Sequence, residues 1–151
     1  MTDMWKMPLP KLIDRVDIEW SHYIRMRDSS VQMDGSRCGE CFTCGNMITV
    51  KDAQGKWQSS AQCGHFITRG NLPTRFLDEN THLQCEFCNT VWDKQEMQQA
   101  YEDALLERYG VNTLNILNDL KNKHGLAKYG RAQIIDAYDY ARKGISDMLV
   151  L

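Results

Sequence analysis

Two Cys-x-x-Cys pairs, Cys41/Cys44 and Cys85/Cys88, bracket a segment that holds His65 and Asn80, and Asn89 follows directly on the second pair. Four thiolates in two such pairs are a zinc set. Zinc takes them tetrahedrally at about 2.3 Å, and the closed shell leaves no open coordination position, so the ion is structural. It would hold the loops at 41–45 and 85–89 side by side. Cys38 stands three residues before Cys41, which makes Cys38/Cys41 an alternative pair. Gly45 favours Cys41/Cys44, because a glycine there lets the backbone turn its amides back toward the thiolates. Cys63 belongs to neither pair and reads as a small buried side chain.

Chemistry beside a closed zinc shell must fall on other residues. A helix is expected to start near Cys88, which would put Asn89 and Asp93 at i and i+4 on one face. An Asn oxygen and an Asp carboxylate are hard ligands for Mg²⁺ or Mn²⁺. His65, on a facing strand, would act as general base for a water attacking phosphorus, with the metal stabilising the developing charge. Asn80 would bond to the intervening loop and orient the imidazole. Arg69 and Arg75 follow His65, and Arg25 and Arg27 end the first helix; their guanidinium forks match phosphate oxygens of DNA. The plainer reading of these four is a solvated face or an internal ion pair, for Arg75 with Asp78 or Glu79. His22 reads as a surface histidine.

The elements that must position these residues follow from periodicity. Residues 10–27 read as a helix with Leu12, Ile13, Val16, Trp20, Tyr23 and Ile24 on one stripe and Pro10 in its first turn. Residues 28–37 read as a polar loop. Residues 46–60 read as a hairpin, with Met47, Ile48 and Val50 in one strand, a turn at 52–55 and a return over 56–60. Residues 61–68 form the His65 strand, 69–73 a loop, and 77–83 the return. Helices are expected over 89–109, ended by Gly110, over 112–124, stopping near Gly125, and over 131–149. The stripe of the last helix would pack on the first helix or on a second copy of the chain. The predicted fold class is α+β and mostly helical: a zinc-stapled ββα-metal module flanked by an N-terminal helix and C-terminal helices. It is taken as a single domain over 1–151, with the N-terminal helix at 10–27, the zinc-bound core at 38–95 and the helical region at 96–151.

Composition bounds the partners. With 42% apolar and 25% charged residues the chain can form a core, and no apolar run is long enough for a membrane span. MTDMWKMPLP has no apolar stretch of the kind a secretory signal needs, so a reducing, cytoplasmic setting is expected, and there cysteine pairs favour metal over disulfides. Net charge is -2, and acidic and basic residues balance along the whole chain. Any DNA affinity must therefore come from locally placed cations.

The order Cys-x-x-Cys, His-bearing strand, Asn, Cys-x-x-Cys-Asn resembles the HNH (His-Me finger) endonucleases. More narrowly, CFTCG, CGHF, TRFLDEN and HLQCEFCN, with Tyr23-Ile24-Arg25-Met26-Arg27-Asp28 before them, resemble the NinG (Rap) recombination proteins of lambdoid phages, over roughly residues 11–109. The resemblance implies a phage protein acting in the bacterial host cell as a structure-selective endonuclease on branched DNA, such as Holliday junctions and D-loops, with a divalent metal. It implies His65 as general base, Asn89 as metal ligand and Asn80 as the middle residue that orients the site, with the four cysteines as the zinc shell. Many HNH proteins carry an Asp or His ligand just before the histidine. Here that position is Gly64, so Asp93 is expected to supply the second oxygen, with Asp78 as the next choice. Paired incision of a junction makes a homodimer attractive. Two other readings stay open at this level: a non-catalytic zinc-stapled module that binds DNA or a partner, and an HNH nuclease acting on plain duplex.

Overall fold

The first helix forms where the apolar period is cleanest, and it organises the N-terminal part of the core. The computed structural model describes residues 3–123 and 129–150. Helix α1 spans Leu9–Arg27, with Leu12, Val16, Trp20, Tyr23 and Ile24 buried along one stripe. That stripe packs on the last helix, α5 (Arg131–Leu149), which buries Ile134, Ile135, Ala137 and Ala141 against it. Of the two partners expected for the α5 stripe, α1 is the one found. No helix among the described residues is long and apolar enough to cross a membrane.

Between these helices lie two small sheets. Strands β1 (Ser30–Val31), β2 (Arg37–Glu40) and β3 (Met47–Lys51) make an antiparallel ladder in that order. The polar loop read over 28–37 thus contains a short edge strand. The hairpin expected over 46–60 is corrected. Its turn forms, closed by Asp52 and Gly55, but the return is one bridge, Lys51 to Trp57, before the chain turns away into the next strand. Strand β3 is paired through β2 instead.

Strands β4 (Ala61–His65) and β5 (Thr81–Cys85) pair antiparallel in unbroken register, from Ala61 opposite Cys85 to His65 opposite Thr81. Between them run the short helix α2 (Leu72–Arg75) and one 3₁₀ turn (Asp78–Asn80). After β5 comes a single wide turn, Phe87–Val91, closed by Trp92 N–H donating to the Phe87 carbonyl at 2.8 Å. Such i→i+5 turns are rare and often sit at functional sites. Helix α3 then spans Lys94–Tyr109, and α4 spans Val111–Asn122. Gly110, at φ 82°, turns the chain between them. The expected stop of α4 near Gly125 lies outside the described residues.

The helix expected from near Cys88 is therefore broken. Trp92 and Asp93 are extended, and Asp93 caps α3, its carboxylate accepting from Gln95 N–H and Glu96 N–H. An aspartate followed by a run of good helix formers is a strong N-cap, and here capping decides where the helix begins. Asn89 and Asp93 do not share a helical face.

At Gly144 helix α5 lies close against α1. A Cβ there would lie 2.5 Å from Cε2 of the buried Tyr23 ring. In an open helix Gly→Ala gains about 1 kcal/mol, but overpacking costs about 1–3 kcal/mol. Gly144→Ala is therefore expected to destabilise the protein, read as a lower denaturation midpoint with an unchanged m-value. An increase would show that the two helices slide apart freely.

Candidate functional site

The four cysteines chosen from spacing come together. The Sγ atoms of Cys41, Cys44, Cys85 and Cys88 all lie within 4.8 Å of one another, with Cys44 and Cys85 3.9 Å apart. Tetrahedral zinc–thiolate bonds of about 2.3 Å require sulfurs about 3.8 Å apart, so the cluster fits such an ion and could hold a metal such as zinc. Gly45, at φ 74°, makes the first knuckle turn, and its N–H donates to the Cys41 carbonyl at 2.8 Å. Backbone N–H groups reach the sulfurs, Cys85 N to Cys41 Sγ at 3.3 Å and Cys88 N to Cys85 Sγ at 3.5 Å. Burial alone would raise the Cys41 thiol. Hydrogen bonds from Thr43 and from backbone N–H groups outweigh it and hold the thiol down at about 6. Burial pushes the neighbouring Cys44 and Cys88 up, since crowded thiols cannot all ionise without a cation among them. Cys38 stands apart, near the hydroxyls of Ser36 and Thr49.

Beside this cluster opens a cleft of ≈ 770 Å³ whose lining includes His65, Arg69, Asn89, Asp93, Lys94 and Gln98. His65 ends β4. Its Nε2 lies 3.0 Å from the Arg75 carbonyl oxygen. A carbonyl can only accept, so Nε2 carries the proton and Nδ1 keeps a lone pair. Burial, with Arg69 and Arg75 nearby, pulls the imidazole down to about 4, so the ring is neutral at ordinary pH. Asn89 Nδ2 donates to Gln62 Oε1 at 2.7 Å. That contact fixes the amide, and among the described residues Asn89 Oδ1 has no hydrogen-bond partner. Of the Asp93 carboxylate, one oxygen caps α3 and the other makes no hydrogen bond among the described residues. Cys63 also lines the cleft, its thiol pushed up to about 12 by burial.

Asn80 does not touch the imidazole. It is fully buried, and its amide spans the loop: Oδ1 accepts from Ile67 N–H at 2.8 Å, and Nδ2 donates to the carbonyls of Ile67 at 3.0 Å and Thr74 at 2.9 Å. It fixes the segment that ends in the Arg75 carbonyl. Arg75 brings that carbonyl to His65, while its side chain is tied to Asp17, with Nε donating to Oδ1 at 2.9 Å, and not to Asp78 or Glu79. Arg27 is likewise internal, forked onto Asp28 and bonded to Asp78 at 3.0 Å. Both guanidinium forks are thus already engaged by carboxylates of the chain itself. Arg69 is exposed at the cleft edge, and Arg25 lies with it along an adjoining groove. Asp78, the second choice for a metal oxygen, lines a different hollow and accepts from Tyr140 Oη at 2.6 Å.

Spacing did not reveal two supporting groups. His82 is fully buried, stacked on Phe42 at 3.8 Å and held 2.9 Å from the hydroxyls of both Tyr101 and Tyr109. Tyr101 Oη in turn donates to the Gly64 carbonyl at 3.1 Å, anchoring the strand just before His65. Gln84 lies over Gly64, where any Cβ would collide with its amide, and donates to Thr43 Oγ1 at 3.2 Å. Thr43 Oγ1 is 3.4 Å from Cys41 Sγ. Gly64 is thus the room Gln84 needs to reach the cysteine cluster. Only a buried Gln and a buried His in an alternating strand hinted at this.

Fold and cluster together define a mixed α+β protein with a four-cysteine cluster that could hold a metal. The family model described as Bacteriophage Lambda NinG protein matches residues 8–148, nearly the whole chain, and the protein belongs to that family. Comparison with individual curated proteins and with solved structures yields no match.

Metal content tests the cluster. Purified protein is expected to hold one zinc per chain by elemental analysis. Cys38→Ser should keep it, and Cys88→Ser should lose it along with thermal stability. Loss of the metal in Cys38→Ser would move the ligand set to the other pair.

Proposed function

We propose that this protein is a structure-selective DNA endonuclease that hydrolyses phosphodiester bonds in branched recombination intermediates. The observation that carries the proposal is the His65 imidazole, neutral and with Nδ1 unprotonated, in a cleft shared with Asn89 and braced by the four-cysteine cluster. In this reading the cluster holds zinc as a structural ion, and β4, β5 and α3 act as the ββα module of an HNH-type enzyme. Membership of the NinG family supports the reading, and so does the uncommitted oxygen on Asn89.

His65 Nδ1 takes a proton from a water, and the hydroxide oxygen attacks phosphorus. The bond from phosphorus to the leaving sugar oxygen breaks, and solvent supplies that oxygen's proton. The Arg75 carbonyl keeps the ring in the tautomer this step needs and stabilises the imidazolium that results. Arg69, at the cleft edge, holds a flanking phosphate. Asn89 Oδ1 and the free Asp93 oxygen are hard donors suited to Mg²⁺ or Mn²⁺, which keep several sites for water and substrate phosphate. When bound, such a cation supplies charge stabilisation at the phosphoryl group and the leaving oxygen. Asn80 and Gln62 are positioning residues. The α5 stripe is already covered by α1, so a dimer making paired cuts would use another face.

The test is cleavage of a labelled four-way junction, beside linear duplex of the same sequence, with Mg²⁺ or Mn²⁺. Wild type should cut the junction preferentially. His65→Ala should lose about 10²–10⁴-fold in rate while keeping metal and fold; full cutting by that variant would remove His65 from the mechanism. The pH profile gives a second check. A histidine at the ordinary value near 6.5 loses about fourfold of its base form between pH 7.5 and 6. His65, lowered to about 4, stays deprotonated across that window, so no acid limb of that size should appear there.

A further inference from the structure

A second cationic feature lies outside the cleft, on the faces of α1 and β3. The Trp57 ring is stacked on His22 at 4.5 Å with the planes 7° apart. Lys51 Nζ and the Arg25 guanidinium carbon each lie 4.2 Å from its centroid. Such cation–aromatic contacts fix charged groups that would otherwise separate. Neither cation is neutralised: among the described residues, Lys51 Nζ makes no ion pair or hydrogen bond. Arg25 donates only to backbone carbonyls, those of Ser21 at 3.2 Å and Ala61 at 3.3 Å. Arg37 is close enough to depress Lys51 further, after burial, and it too bonds only to oxygens of Ser29 and Met26. The nearby carboxylates have other partners. Glu19, which also acts on His22, pairs with Arg142. Asp17 in the adjoining groove pairs with Arg75 and Arg69, and Asp52 accepts from the backbone of its own turn. Like charges gathered without a counter-ion in a chain of net charge -2 point to an anionic occupant.

The patch is continuous with the cleft. A groove lined by Asp17, Ile18, Ser21, His22, Arg25 and Arg69 leads from it, and Arg69 also lines the His65 cleft.

We propose that Lys51 and Arg25, held on Trp57, form a phosphate-binding station for the DNA arm that leaves the His65 cleft past Arg69. This rests on the nuclease reading for the direction of the strand, but it is tested by binding alone. The arm is recognised through its backbone, which suits a protein that selects shape over sequence.

The experiment is anisotropy of a fluorescent four-way junction with full-length protein, without added divalent metal, between 50 and 200 mM salt. Lys51→Gln should bind about three- to tenfold more weakly and lower the slope of log K against log salt by about 1. Lys51→Arg should keep both, and Lys143→Gln, on a surface pair with Asp147, should change neither. Wild-type affinity and slope in Lys51→Gln overturn the proposal. So does an equal loss in Lys51→Arg, which would mark a structural effect. A wild type that binds with this salt slope yet cuts nothing defeats the hydrolytic reading and supports the station.

Discussion

The buried amide of Asn80 is the contact on which the site depends. Three hydrogen bonds from one fully buried side chain hold the loop between β4 and β5. A buried amide left without partners would cost about 1–3 kcal/mol, so the loop and the side chain fix each other. The consequence lies one step further on. The fixed loop ends at the Arg75 carbonyl, and that carbonyl sets which nitrogen of His65 carries the proton. A residue with no hydrogen bond to the imidazole thus helps decide which ring nitrogen keeps the lone pair.

The four-cysteine cluster braces the other side. It joins the knuckle at Cys41–Gly45 to the end of β5, and Gln84 and Thr43 carry the contact back to Gly64, next to His65. Groups hydrogen-bonded to metal ligands orient those ligands and tune them. Here the same groups explain a glycine that looked like a missing ligand. His82, neutral between two tyrosine hydroxyls, completes the support from α3.

The helices were legible because α1, α4 and α5 carry apolar stripes of helical period, and the cysteine set was legible because Cys-x-x-Cys spacing leaves few geometries. His65, Asn89, Asp93 and Arg69 do share one cleft. The misreadings have physical causes. The helix after Cys88 breaks because Asp93 caps it, and propensity over 89–109 does not show where a cap wins. An internal ion pair was legible for Arg75 but its partner was not, because Asp17 lies 58 residues away, and Arg27 joins its neighbour Asp28 to the distant Asp78. The return strand at 56–60 looked plausible from turn chemistry alone, while β3 found its partner in a segment with no alternation. The Trp57 cluster joins α1 to the end of β3, and no local pattern announces it.

The claim at the centre of this account is the state of the His65 ring, which NMR can read directly. Two-bond ¹⁵N–¹H correlation of the imidazole on metal-loaded protein, followed against pH, reports tautomer and titration together. The account predicts Nε2–H with an unprotonated Nδ1, and no titration between pH 8 and 5.5, in keeping with a value lowered to about 4. An Nδ1–H tautomer, or a midpoint near 6.5, would contradict it.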